Sequence, residues 1–201
     1  MKLYHYSKSR SARVLWLLEE LGIDYQCEDL PFDRNAFHSV DYLELESYGR
    51  LPMLVDDAVT MHQSVAIVQY LLNRYGDGRL EPVRSSVDYG RFLEWLHFGE
   101  STMMGPVSQV IEHSMLLPES ERRAPVVARG KRALGFFAKR IENELEHQTY
   151  LIDDDFTAAD IVVGYGLFLA EYCGAFPADL PCLQAYYDRL KSRPAFRTAT
   201  R

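Results

Sequence analysis

The sequence predicts two domains: an N-terminal α/β domain of order β-α-β-α-β-β-α over residues 1–76, and an all-helical domain over residues 87–201. Three observations predict it. Strand-like and helix-like hydrophobic periods alternate through the first third of the chain. The stretch "GDGRLEPVRSS" then gathers glycine, proline and charge, and its residues 77–86 read as a linker. Beyond it no strand pattern recurs, and long helical periods follow one another.

In order, "LYHY" reads as a strand, residues 10–21 as a helix, "YQCEDL" as a strand, and a polar helix or loop surrounds residues 35–45. "PMLV" and "VTM" read as paired strands, because Asp56, Asp57 and Ala58 between them form a turn signal. Residues 63–75 close the domain as a helix with Ala66, Ile67, Tyr70 and Leu71 on one side. The first helix carries Val14, Leu15, Leu18 and Leu21 as its apolar stripe and stops at Gly22. The helical domain reads as residues 87–117, kinked at Gly105-Pro106, then 125–147, 158–173 and 180–193, with Pro118, Pro177 and Pro181 in the gaps. Thr157 and Asp160 have the spacing of a capping box, a folding role.

Composition narrows the function classes. Of the 201 residues, 47% are hydrophobic, enough to bury a core. The net charge of −7 argues against a nucleic-acid partner, which clustered Lys and Arg would attract, and the run "ARGKR" reads as a solvated helix face. Three cysteines, Cys27, Cys173 and Cys182, form no C-x-x-C pair and suit a reducing compartment. The start "MKLYHY" lacks a signal-peptide run. The most apolar late stretch, "DIVVGYGLFLAEYCGAF", is bounded by Asp160, interrupted by Glu171 and punctuated by glycines, so a membrane-spanning reading fails. A cytoplasmic protein is expected. Glu94 and His97 have half the spacing of a di-metal motif without a second half, and the six histidines are scattered, so no metal is called for.

The stretch "YHYSKSRSARVLWLLEELG" sets Ser7 and Ser9 ahead of the first helix and Ser11 in its first turn. Serines there can cap orphan N–H groups, or they can line a site for an anion at the same helix end. Two further stretches favour a ligand. Pro52 sits at the first residue of a strand, beside an edge that could pair with an extended peptide. Gln63 and Ser64 open another helix, where free N–H groups, an amide and a hydroxyl suit a carboxylate.

"SRSARVLWLLEELGIDY", "GRLPMLVDD", "QSVAIVQYL", "FTAADIVVGY" and "SRPAF" resemble, in order and spacing, the cytosolic glutathione S-transferases, over nearly the whole chain. The resemblance implies a thioredoxin-like N-terminal domain, a helical domain forming a hydrophobic substrate pocket, a homodimer, and glutathione as co-substrate. It implies that Leu51 pairs with the cysteinyl backbone, that Pro52 is cis, and that Gln63 and Ser64 hold the γ-glutamyl carboxylate. Arg50 and His38 fall where the family contacts the glycyl end. Classes of the family use Tyr, Ser or Cys near the first strand, and this stretch has no cysteine. In serine-type classes the active hydroxyl stands four residues ahead of an arginine, the relation of Ser9 to Arg13, so Ser9 is the expected catalytic residue, with Ser11 and Tyr6 as alternatives.

The function so implied is conjugation of the glutathione thiolate to small apolar electrophiles, a detoxifying chemistry. Alternatives are a glutathione-dependent peroxidase and a non-catalytic glutathione- or protein-binding regulator with the same fold. Trp95, Phe98, Met103 and Met104 lie on the helix near the expected pocket, and by composition read as core rather than lining. Glu100 is the residue expected to reach a partner subunit.

Overall fold

The computed structural model describes residues 1–30 and 49–201; the helix or loop expected around residues 35–45, and His38 with it, lie outside the described residues. Strand β1 (Lys2–His5) runs parallel to β2 (Gln26–Asp29) and antiparallel to β3 (Met53–Asp56), which pairs with β4 (Val59–His62) as a hairpin. The sheet order is β2-β1-β3-β4. The β1 period is two: Leu3 and His5 are buried while Lys2 and Tyr4 are partly exposed. The imidazole therefore faces the interior.

Helix α1 (Ser11–Leu21) follows β1 and ends at Gly22, whose φ of 64° lets the next N–H turn back, so that Ile23 N–H donates to the Leu18 carbonyl at 3.1 Å. Its expected stripe is buried, but so are Ala12, Arg13, Trp16 and Leu17. The second cover comes from the far end of the chain. Residues Arg193–Arg201, expected to belong to the helical domain, pack instead with Met1–Arg79, while Leu80–Ser192 form the other unit. Their short helix α8 (Pro194–Ala199) sets the Phe196 ring edge-on to Trp16 at 4.9 Å. Arg193 grips Glu20 through two N–H groups at 2.6 and 2.8 Å, and Trp16 Nε1 donates to the same carboxylate at 2.9 Å. Pro194 interrupts the preceding helix, freeing the tail to cover α1.

Helix α2 (Ser64–Tyr75) buries Ser64, Val65, Ile67, Val68, Leu71 and Leu72. The expected stripe is corrected at two positions: Ala66 is exposed, and Tyr70 is partly exposed. Tyr70 serves a polar need, donating to the buried Asp56 at 2.7 Å while Tyr75 donates at 2.6 Å. Burial pushes that carboxyl up, and the Tyr75 and Tyr70 hydroxyls with Arg74 outweigh it, holding it below its ordinary value.

The other unit holds α3 (Asp88–His97), α4 (Met104–Ile111), α5 (Ala124–Glu144), α6 (Ala158–Tyr172) and α7 (Pro181–Ser192). Where a kink is expected at Gly105-Pro106, the structure shows a change of helical register just before it. A π-helical turn, Phe98–Thr102, joins α3 to α4, and Met103 N–H reaches back five residues to the Phe98 carbonyl at 3.1 Å. Pro106 has no N–H for the Thr102 carbonyl, so the register is free to change just there. Trp95, Phe98, Met103 and Met104 are all buried, with Phe98 edge-on to Trp95 and Phe137, as core positions would be. A Cβ on Gly99 would lie 2.8 Å from a Val162 methyl and 3.0 Å from its backbone, so only glycine allows this approach to α6.

The capping box forms as expected. Asp160 accepts from Thr157 N–H at 2.8 Å and its hydroxyl at 3.0 Å, and also from Leu151 N–H at 3.0 Å and the Tyr186 hydroxyl at 2.9 Å. "ARGKR" lies on α5, with its charged residues exposed.

The tail contact generates a stability prediction. Arg193→Ala should destabilise the fold by about 1–3 kcal/mol, since a two-pronged charge-assisted contact at a mostly buried carboxylate is lost. Phe196→Ala should cost about 3–5 kcal/mol through the cavity beside Trp16. Urea unfolding of both variants, with Trp16 fluorescence as the probe, checks the two values. Midpoints unchanged from the parent would mean that the tail does not contribute to stability.

Candidate functional site

The turn between β1 and α1 carries the hydroxyl cluster. Lys8 adopts a φ of 67°, and Ser9 N–H closes the turn onto the Tyr6 carbonyl at 3.0 Å. This brings Ser9 Oγ to 2.6 Å from Ser11 Oγ, which lies 2.8 Å from His5 Nδ1. Ser9 Oγ also accepts the Ser11 N–H at 3.2 Å, and Ser11 Oγ accepts the Tyr6 N–H at 3.2 Å. The capping and site readings thus meet in one geometry, as Ser9 satisfies a helix-start donor while the residue itself stays partly exposed. Ser11, by contrast, is wholly buried. It is not presented to solvent at the helix end as the sequence suggested. The Tyr6 backbone frames the turn.

Arg13, which entered the sequence reading only by its spacing from Ser9, is a second buried polar element. Its side chain has no exposure, and Nη1 donates to Ser64 Oγ at 3.1 Å. A guanidinium has no acceptor, so Ser64 must receive that bond, which leaves the serine's own proton for another acceptor. Ser64 is the first residue of α2, and the first N–H groups of that helix have no partner within it. Gln63 precedes it, exposed, at φ 70° and ψ 102°. A side chain other than glycine held at positive φ costs on the order of 1–3 kcal/mol, a strain that concentrates at ligand sites.

The Leu51-Pro52 peptide bond is cis, as expected. Pro52 is buried and Leu51 partly exposed; both ladders of β3 end at Met53, so Leu51 lies just beyond them. Arg50 is exposed next to it. The fold brings Ser9 and Ser11 together and ties Arg13 to Ser64, while His38 lies outside the described residues.

Sequence reasoning missed His5 and the role of Arg13. His5 carried a signal, since it shares the inward period of Leu3 in β1. Burial pushes its imidazole pKa down, opposed by Asp29. Elsewhere, Glu94 pairs with Arg140 on the surface, and among the described residues no cluster of three metal-ligating side chains occurs. Cys27, Cys173 and Cys182 are free, and burial pushes each thiol up, so none offers a ready thiolate. No helix among the described residues is long and apolar enough to cross a membrane.

The sequence and the fold are shared with known proteins. Residues 1–73 match the family model "Glutathione S-transferase, N-terminal domain", and residues 104–194 match "Glutathione S-transferase, C-terminal domain". Among curated relatives, Glutathione S-transferase 3 of Schizosaccharomyces pombe is 27% identical over 98% of this chain and 85% of its own length. A glutathione transferase from Phanerochaete chrysosporium, solved in complex with oxidized glutathione, superposes with a TM-score of 0.86 at 26% identity, covering 98% of this chain and 93% of that one. A theta class glutathione S-transferase from Xanthomonas axonopodis pv. citri, solved with glutathione bound, gives 0.85 at 27% identity, covering 99% and 96%. With a thioredoxin-like unit and a helical unit both matched, the chain belongs to the glutathione S-transferase family.

Proposed function

We propose that this glutathione transferase ionises glutathione against the Ser9 hydroxyl and delivers the thiolate to a carbon of small apolar electrophiles. The single observation that supports Ser9 most is its position as the partly exposed end of a chain of hydroxyls whose other end is buried. In this reading the thiol proton leaves to solvent. Ser9 O–H donates to the sulfur, and the positive end of α1 favours the same charge. The sulfur lone pair then forms the new bond to carbon, by addition or by displacement of a leaving group, with the protein aligning the two reactants.

Binding is assigned to the other end of the cradle. Leu51, beside Pro52, pairs its backbone with the extended tripeptide, and Arg50 with His38 reaches the glycyl carboxylate. Gln63 and Ser64 hold the γ-glutamyl carboxylate at the start of α2, the serine donating the proton that its bond from Arg13 leaves free. Gln63 carries no charge for the glutathione ammonium, and a two-fold dimer in which Glu100 reaches the partner's site would supply one. A detoxifying role in a reducing cytoplasm fits the three free cysteines.

Three outcomes are expected. Ser9→Ala should raise the pKa of bound glutathione and lower turnover while leaving its affinity nearly intact, read by ultraviolet difference titration and calorimetry; a normal thiol pKa with full turnover sinks the assignment. Ser64→Ala should weaken glutathione binding by about 1.5–3 kcal/mol, through loss of a charge-assisted hydrogen bond. Because it also removes an acceptor from buried Arg13, its melting temperature should fall as well, and calorimetry at a temperature where the variant is folded separates the two effects. Sedimentation at micromolar concentration should show a dimer, and a fully active monomer would reject the Glu100 role.

A further inference from the structure

Ser9 can act on an anion only if its proton is not used inside the protein. Its oxygen and that of Ser11 each have one proton and two lone pairs, and the distances decide where these go. We propose that His5, protonated on Nδ1, is a positioning residue that acts through Ser11 to turn the Ser9 hydroxyl proton outward. The inference rests on the assignment of Ser9 made above.

With the proton on Nδ1, His5 donates to Ser11 Oγ across 2.8 Å. Tyr6 N–H fills the second lone pair of Ser11 from 3.2 Å. Ser11 then has only a proton to offer, and the 2.6 Å approach of Ser9 Oγ directs it there rather than to the Tyr6 carbonyl at 3.3 Å. Ser9 Oγ now accepts twice, from the Ser11 hydroxyl and from the Ser11 N–H at 3.2 Å. Both its lone pairs are taken, and its proton must point away from the cluster. Each donation strengthens the next, so the chain ends in a better donor than an isolated serine.

With the proton on Nε2 instead, the two side-chain bonds reverse while the backbone N–H donors stay as they are. Ser11 donates to Nδ1, Ser9 donates to Ser11, and no proton is left for a sulfur anion. Burial of His5 at 6% exposure pushes its pKa down against the opposing charge of Asp29, so at neutral pH the ring carries one proton and the choice between the two patterns is the choice of tautomer.

The test begins with the unaltered protein. Nitrogen-15 NMR of the imidazoles with glutathione bound, the His5 signals assigned by their absence in His5→Leu, should show a protonated Nδ1; a protonated Nε2 overturns the proposal. In kinetics, His5→Leu should raise the thiol pKa of bound glutathione by about 0.5–1 unit, with turnover at fixed pH falling about three- to tenfold and glutathione affinity kept. His5→Asn, which can set an amide donor near the Nδ1 position, should recover most of the loss. A purely structural role for His5 would change the melting temperature and leave the thiol pKa alone, and that result in folded His5→Leu also overturns the proposal. Ser9→Ala measured beside it separates the two ideas. If Ser9→Ala shifts the thiol pKa and His5→Leu does not, only the His5 role fails; if Ser9→Ala leaves it unchanged, the assignment of Ser9 fails and the His5 role with it.

Discussion

The first unit depends on a guanidinium that cannot lose its charge and has no access to water. Burying Arg13 is unfavourable unless acceptors are held around it, and Ser64, fifty-one residues later, is one of them. That requirement ties the first turn of α1 to the first residue of α2. Two helix starts, each with donors that its own helix cannot satisfy, are thereby held together. The juxtaposition of these two helix starts follows from giving one buried cation an acceptor.

The same constraint explains why the hydroxyls are ordered. A serine on an open turn rotates freely and has no fixed donor direction. Here α1 packs against β1, α2 and the tail helix α8, with Trp16 in contact with both Phe196 and the Glu20 carboxylate. Ser11 is sealed within that packing, so its bonds to His5, Tyr6 and Ser9 are made without competition from water. Of the two bonded serines, Ser9 remains partly open. Burying the helix is therefore also what gives the Ser9 hydroxyl a direction.

In the helical unit, the residues nearest the expected pocket serve the core, as their composition suggested. Trp95, Phe98, Met103 and Met104 meet α6 closely enough that Gly99 must lack a side chain, and the π-helical turn ahead of Pro106 supplies the change of register that seats them. Asp160, buried and holding the start of α6, shows the same economy of polar groups: two oxygens serve a capping box, a distant backbone N–H and a tyrosine.

Much of this was legible in the chain by itself. The order of the described strands and helices, the stop at Gly22, the Thr157–Asp160 box, Pro52 at the start of a strand, and the candidate status of Ser9 and Ser64 all follow from local patterns, because caps, turns and periods involve residues a few places apart. The stripes of α1 and α2 were read only in part, since periodicity reports that a side chain avoids water and not which segment covers it. Tertiary structure alone decided that residues 193–201 close over α1, that Tyr70 turns to Asp56, that Arg13 reaches Ser64, and that His5 stands at the end of the serine chain. Each of these is a pairing between a buried group and a partner from another element. The identity of that partner is fixed by three-dimensional distance, which no local pattern of residues records.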